Sequence, residues 1–186
     1  MGQITEFGLW AGGKILQGAG GELQGLLIMG LLIYAITGFL SRSVESIGIH
    51  LEKRPANCLI YGAVWMGTMY VLVWLLRKIV PIPRGVSIHN PIAPLLVTLI
   101  VGLLILSFCA FLVGISGLSF RLGKEIWKYL PQLGPVQPAI QSVAGFLLIW
   151  LLWHLPVVGP VAAKLTNALC LGAVVDIWRN AEEEAQ

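Results

Sequence analysis

A chain of 186 residues with 57% hydrophobic and only 11% charged residues cannot cover a water-facing surface, because soluble domains carry about 25% charged residues. Its mean hydropathy is +0.84 and its apolar runs are continuous rather than alternating, so lipid solvates most of it and helices are implied instead of a barrel. The net charge of +3 comes without a basic block or basic–aromatic interleaving, which sets nucleic acid aside as a partner.

Met1 to Gly21 is glycine-rich and weakly apolar, with no basic n-region or apolar h-region of a cleaved signal. It is expected to rest on the interface, and Gly18 to Gly21 disfavour helix. The first span is expected at 23–40. Gly21 and Gly25 open it as a small-xxx-small pair that lets a partner helix approach, or simply reflect how common glycine is in membrane helices. An amphipathic interfacial helix follows at 41–54, with Val44, Ile47 and Leu51 on one face and Arg42, Glu45, Glu52 and Lys53 on the other. Pro55 ends it.

The second span is placed at 56–76 and is terminated by Arg77 and Lys78. Three of the ten prolines fall at 81–91 and mark a loop. The third span, 94–118, is apolar and uncharged, and a helix of that length crosses a core of about 30 Å. Its stripe continues through Leu118, Leu122 and Ile126, but Arg121, Lys124 and Lys128 appear opposite, with Trp127 and Tyr129 as anchors. This predicts a second interfacial helix over 119–130, lying flat, with Arg121, Lys124, Trp127 and Lys128 facing the membrane surface or a partner. Pro131 to Pro138 break the chain before a fourth span at 139–155. The fifth, 161–175, is the weakest, because Lys164, Thr166 and Asn167 interrupt it. A re-entrant or tilted pair of the last two is the alternative.

The expected fold is therefore all-α, one polytopic integral membrane bundle over residues 1–186. It has about five transmembrane helices and two interfacial ones. Counting Lys and Arg outside the spans gives seven (41–54, 119–130 and the tail) against four, which puts the first set in the cytoplasm.

Few residues carry chemistry. His154 ends an apolar span, where a neutral imidazole can ligate a haem or chlorophyll metal or hydrogen-bond a quinone. The plainer reading is a helix-end residue meeting water or capping backbone. Lys164 either snorkels to the turn or joins Thr166 and Asn167 in a polar cleft between spans. Cys58, Cys109 and Cys170 stand too far apart for a zinc or redox pair and read as buried residues. Four of the seven tryptophans (Trp74, Trp150, Trp153, Trp178) lie near span ends as belt anchors. No nucleophile triad, phosphate loop or metal-binding motif is present, and the expectation is a protein that is not an enzyme.

The order Phe39 to Val44, then Lys53-Arg-Pro-Ala-Asn-Cys-Leu-Ile-Tyr-Gly62, Leu122-Gly-Lys-Glu-Ile-Trp127, Leu155-Pro-Val-Val-Gly-Pro160 and Leu171-Gly-Ala173 resembles the membrane region of bacterial bactofilin-associated, polymer-forming membrane proteins. The chain departs from that group in having no glycine-periodic β-helical segment. The resemblance implies an anchor or scaffold and transfers no catalytic residue. The expected function is a non-enzymatic anchor, scaffold or accessory subunit among other membrane subunits, in a bacterial inner membrane or a thylakoid-like one. A cofactor-binding subunit of an electron-transfer or photosynthetic complex, with His154 as ligand, is the alternative, and a small transporter is the third.

Overall fold

The computed structural model describes residues 2–79, 92–129 and 136–184, with side chains described within 21–75, 95–129 and 136–180. Among the described residues every element is a helix: α1 (Gly2–Phe39), α2 (Ser41–Lys53), α3 (Pro55–Ile79), α4 (Ile92–Lys128), α5 (Pro138–Trp153) and α6 (Gly159–Glu184). Four stretches are long and apolar enough to cross a bilayer, Gly21–Phe39, Pro55–Leu75, Val97–Lys128 and Gly159–Asn180, while α5 is apolar but shorter. The chain is a polytopic helical membrane protein.

Local chemistry sets the breaks. Arg54 leaves helical geometry (φ −136°, ψ 53°) ahead of Pro55, which then opens α3 where a missing N–H costs nothing. Pro138 opens α5 in the same way. The α5–α6 turn needs Gly159, since a Cβ there would lie 2.0 Å from the Trp153 carbonyl oxygen.

Between helices in lipid, apolar contact brings no hydrophobic gain, so close backbone packing at small residues does the work. α3 runs antiparallel to α6 with Gly62 against Ala168 and Gly172 against Cys58. α4 runs antiparallel to α5 with Gly145 against Ser119 and Gly123 against Gln141. Gly114 meets Cys170 of α6, and Gly117 meets Ile47 and Val44 of α2. Ile33, Ile115, Phe146, Ile149 and Cys170 form one buried cluster, and Ile47, Leu51, Cys58 and Ala173 another. α1 docks on the outside of α5 and α4, where the Thr37 hydroxyl donates to Ser142 Oγ (3.1 Å) and Ser142 donates on to the Pro138 carbonyl.

The α2 end of the bundle gathers the start of α3 and the ends of α4 and α6. Arg121 of α4 bridges Glu52 of α2 at 2.8 Å, and Asn180 of α6 meets His50 of α2. At the other end of its packed core, the α5–α6 turn lies beside α1, with His154 Nε2 3.7 Å from Glu22. α5 and α6 leave much of α4 uncovered. Trp153, the last residue of α5, packs in the same cluster as Phe111, and Leu95, Leu99, Leu104, Ile105 and Phe108 beyond it are exposed.

Several expectations change. Residues 2–20 continue the helix of α1. The cost of glycine in a helix is about 1 kcal/mol, whereas an unsatisfied backbone group in lipid costs several. A Cβ placed on Gly21 or Gly25 would meet nothing within 4 Å, so among the described residues these two take no helix as partner. The segment 119–128 does not lie flat as a separate helix but prolongs α4. Gly117 and Gly123 let α2 and α5 close around it, so protein rather than lipid receives its stripe. Leu130 is outside the described residues. The short member of the last pair is α5, with 16 residues, not α6 with 26. Cys109 is exposed, on the outer face of α4, while Cys58 and Cys170 are buried.

Candidate functional site

The residues singled out in the sequence divide between the two ends of the core. At the α2 end, Arg121 Nη2 lies 2.8 Å from both Glu52 and Glu125, and Lys128 Nζ lies 2.8 Å from Glu125. Lys124 is exposed and Trp127 half-buried. The basic face is thus largely answered by acids of this same chain, and its main product is to tie α2 to α4.

At the α5–α6 turn, His154 caps its own helix. Its Nδ1 lies 2.8 Å from the Trp150 carbonyl oxygen, which makes Nδ1 the donor, and its ring packs against Trp150 at a tilt of 40° with 4.1 Å between centroids. In the neutral form the lone pair is then on Nε2, toward Glu22. His50 stands at the opposite end of the core, and His89 lies outside the described residues. The expected cleft residues separate: Thr166 is buried and accepts from Trp153 Nε1 (3.5 Å), Asn167 is half-buried with Oδ1 lacking a partner among the described residues, and Lys164 is exposed.

A polar cluster that sequence reasoning places merely at a span end lies where α2, α3 and α6 meet. Asp176 is 2% exposed, and its Oδ2 is buried with no hydrogen bond among the described residues. That oxygen faces His50 Nε2 at 4.0 Å, and Asn180 Nδ2 lies 3.3 Å from the same nitrogen. With the Asn180 amide donating, Nε2 is an acceptor and offers Asp176 nothing. With a proton on Nε2, Asn180 must present its oxygen instead, and the imidazole can turn its N–H toward the carboxylate. The cluster thus has two hydrogen-bond arrangements, joined through one imidazole. His50 also floors a groove of about 400 Å³ on the outside of α2, lined by Arg42, Glu45, Ser46, Ile49 and Lys53. Beside the cluster, Arg179 donates to the Tyr61 hydroxyl and sits 5.6 Å from the centroid of its ring.

A signal for part of this is in the sequence. On α6 the row of buried Thr166, Ala173 and Asp176 and half-buried Asn180 follows helical spacing once the helix is extended past Val175. The pairing with His50 spans more than a hundred residues and leaves no local mark. Among the described residues, no three His, Cys, Asp or Glu side chains come together as a metal site. Comparison with protein-family models, curated proteins and solved structures found no match, so the resemblance noted from short motifs gains no support there.

Proposed function

We propose that this chain is a non-enzymatic membrane anchor or accessory subunit, and that its α2 end is the platform on which another protein of a membrane assembly sits. The observation that carries this is how firmly α2 is held. Val44, Ile47, Gly48 and Leu51 are buried against the bundle, and Glu52 is pinned by Arg121. The opposite face is left as a groove with a cation at each end, Arg42 and Lys53, and Glu45 between them. A helix fixed in this way presents its outer face with little ordering cost on binding. The implied setting, a bacterial inner membrane or a thylakoid-like one, follows the resemblance and the charge asymmetry. The test is a photo-crosslinker at Ile49 in native membranes. A discrete adduct at Ile49, absent in Arg42→Glu/Lys53→Glu and without counterpart at lipid-facing Leu104, supports the reading. A chain that remains adduct-free there and purifies alone in mild detergent contradicts it.

The cofactor-subunit reading keeps one specific observation, the Nδ1–H tautomer that leaves His154 Nε2 with a lone pair. A Soret or chlorophyll band in the purified protein, lost in His154→Ala, would put that reading first. The transporter reading would need a buried ionisable group, and Asp176, buried at the α2 end of α6, is the candidate for it instead of the exposed Lys164.

A further inference from the structure

We propose that the cleft between α3 and α4, on the face of α6 turned away from α2, binds one anionic phospholipid of the α2-side leaflet, with a single acyl chain in the cleft and the phosphate on Arg179.

The first observation is the shape of the cleft. α3 and α4 both pack on α6 through small residues, Gly62 against Ala168 and Gly114 against Cys170. Beside these contacts Trp65 of α3 and Leu106 and Ala110 of α4 wall a cavity of about 350 Å³, and Leu171 and Val174 of α6 floor it. At 100° per residue the two floor residues fall roughly opposite Asp176 and Asn180, which face His50 of α2. The cavity therefore opens on the side that α2 leaves uncovered, and its volume is that of a small-molecule site.

The second observation is what the cavity asks of an occupant. Its lining is aliphatic and indole, and Trp65 Nε1 donates to Ser107 Oγ (3.0 Å), which donates on to the Leu103 carbonyl. Such an interior suits hydrocarbon. The same bond ties α3 to α4 across the cleft. A partner helix lying between them would need its axis about 8–10 Å from each, so the tie leaves room for an acyl chain and not for a helix.

The third is the charge at the mouth. Lipid tails are as apolar as leucine, so an apolar cleft by itself prefers no lipid over another. Selection needs a headgroup contact. One helical turn from Trp65 toward the α2 end is Tyr61, and one turn beyond Val175, which also lines the cleft, is Arg179. Arg179 donates to the Tyr61 hydroxyl and lies over its ring, so the cation stands at the α2-side end of the cleft. Trp178 lines the cleft beside it as an interfacial tryptophan. A guanidinium has several N–H donors in a fork that matches phosphate, and it can serve a headgroup alongside its protein partners. The groove between α1 and α5, where Leu31 and Leu147 face each other, has a similar volume of about 320 Å³ but no Lys or Arg within four residues of its lining. It serves as the control. The lipid site lies across α6 from α2 and does not depend on what α2 binds.

The experiment adds phosphatidylglycerol with a diazirine in one acyl chain to the full chain in mild detergent and maps the photoadducts by mass spectrometry. The proposal expects adducts concentrated on Leu106, Ala110, Leu171 and Val174 of the wild-type chain. Unlabelled phosphatidylglycerol should displace them at least about fivefold better than phosphatidylcholine of the same chains, the factor that one cation contributes beside anionic lipid. Glycerol phosphate, a headgroup without chains, should displace nothing. Arg179→Gln should bring the two lipids level, and Arg179→Lys should keep part of the preference. Ala110→Trp, which fills the cleft, should remove these adducts, while Leu147→Trp in the control groove leaves them. Adducts spread evenly over Leu104, Leu147 and the cleft, or equal displacement by the two lipids, mean bulk lipid only and overturn the proposal. Displacement by glycerol phosphate means a site for free anions, and a preference that survives Arg179→Gln means a cation elsewhere; either overturns it. A photo-crosslinker at Leu106 that captures protein in native membranes means that a partner covers the cleft, and overturns it as well.

Discussion

Burying Asp176 with one oxygen unbonded costs about 1–3 kcal/mol unless something answers it, and His50 is the group in position to do so. His50→Ala is therefore expected to lower stability in detergent by about 1–3 kcal/mol, whereas Asp176→Asn, which removes the charge at constant shape, should be neutral or stabilising. In the Asp176→Asn background the cost of His50→Ala should shrink, and thermal unfolding of the four proteins measures that coupling. Equal costs in both backgrounds would mean that the two groups ignore each other. Arg121→Gln should cost less, about 0.2–1 kcal/mol for the half-exposed bridge to Glu52, and the loss should fade with added salt. His154 is legible in the sequence as a helix-end residue, because a histidine after an apolar run and before a proline has backbone carbonyls within reach. Its partner Glu22 is not, since nothing local links residues so far apart.

Elements are legible where length and apolarity decide, and less so where the partner decides. The stripe through Leu118, Leu122 and Ile126 reads the same whether it meets lipid or protein. Only the fold shows that α2 and α5 reach it through Gly117 and Gly123. The stripe of α2, by contrast, follows from spacing alone: Val44, Ile47 and Leu51 are its buried face. Small residues mislead in both directions. Gly21 and Gly25 stand out in the sequence, yet a Cβ on either would meet nothing among the described residues, while Gly62 and Gly172, less conspicuous there, hold α3 on α6. A Cβ at position 62 would lie 1.7 Å from the Ala168 carbonyl oxygen, so Gly62→Val must push the helices apart and should cost about 3 kcal/mol or more. Gly25→Ala should leave stability within about 0.5 kcal/mol. Thermal melts of both in one detergent make the comparison, and similar losses would mean that the α3–α6 contact is not the tight one.

For the whole molecule, side-chain contacts sort the chain into the same two ends that the distribution of basic residues groups. Residues 41–54, the end of α4 and the end of α6 meet around His50, Asn180 and Arg121, and Glu22 meets His154 away from them. The end of α3 and the start of α4 then lie on the side opposite α2. Charge asymmetry predicts that the α2 end is the cytoplasmic one. The central claim is that α2 and the end of α6 share one face of the membrane while residue 3 and the α3–α4 connection share the other. Impermeant thiol labelling of intact cells tests it with one cysteine added at position 3, 46, 87 or 184 in a Cys109→Ser background, where the remaining Cys58 and Cys170 are buried. The account predicts labelling at 3 and 87 and protection of 46 and 184 until the membrane is opened. Labelling of 46 together with 87, or of 184 without 46, would contradict it.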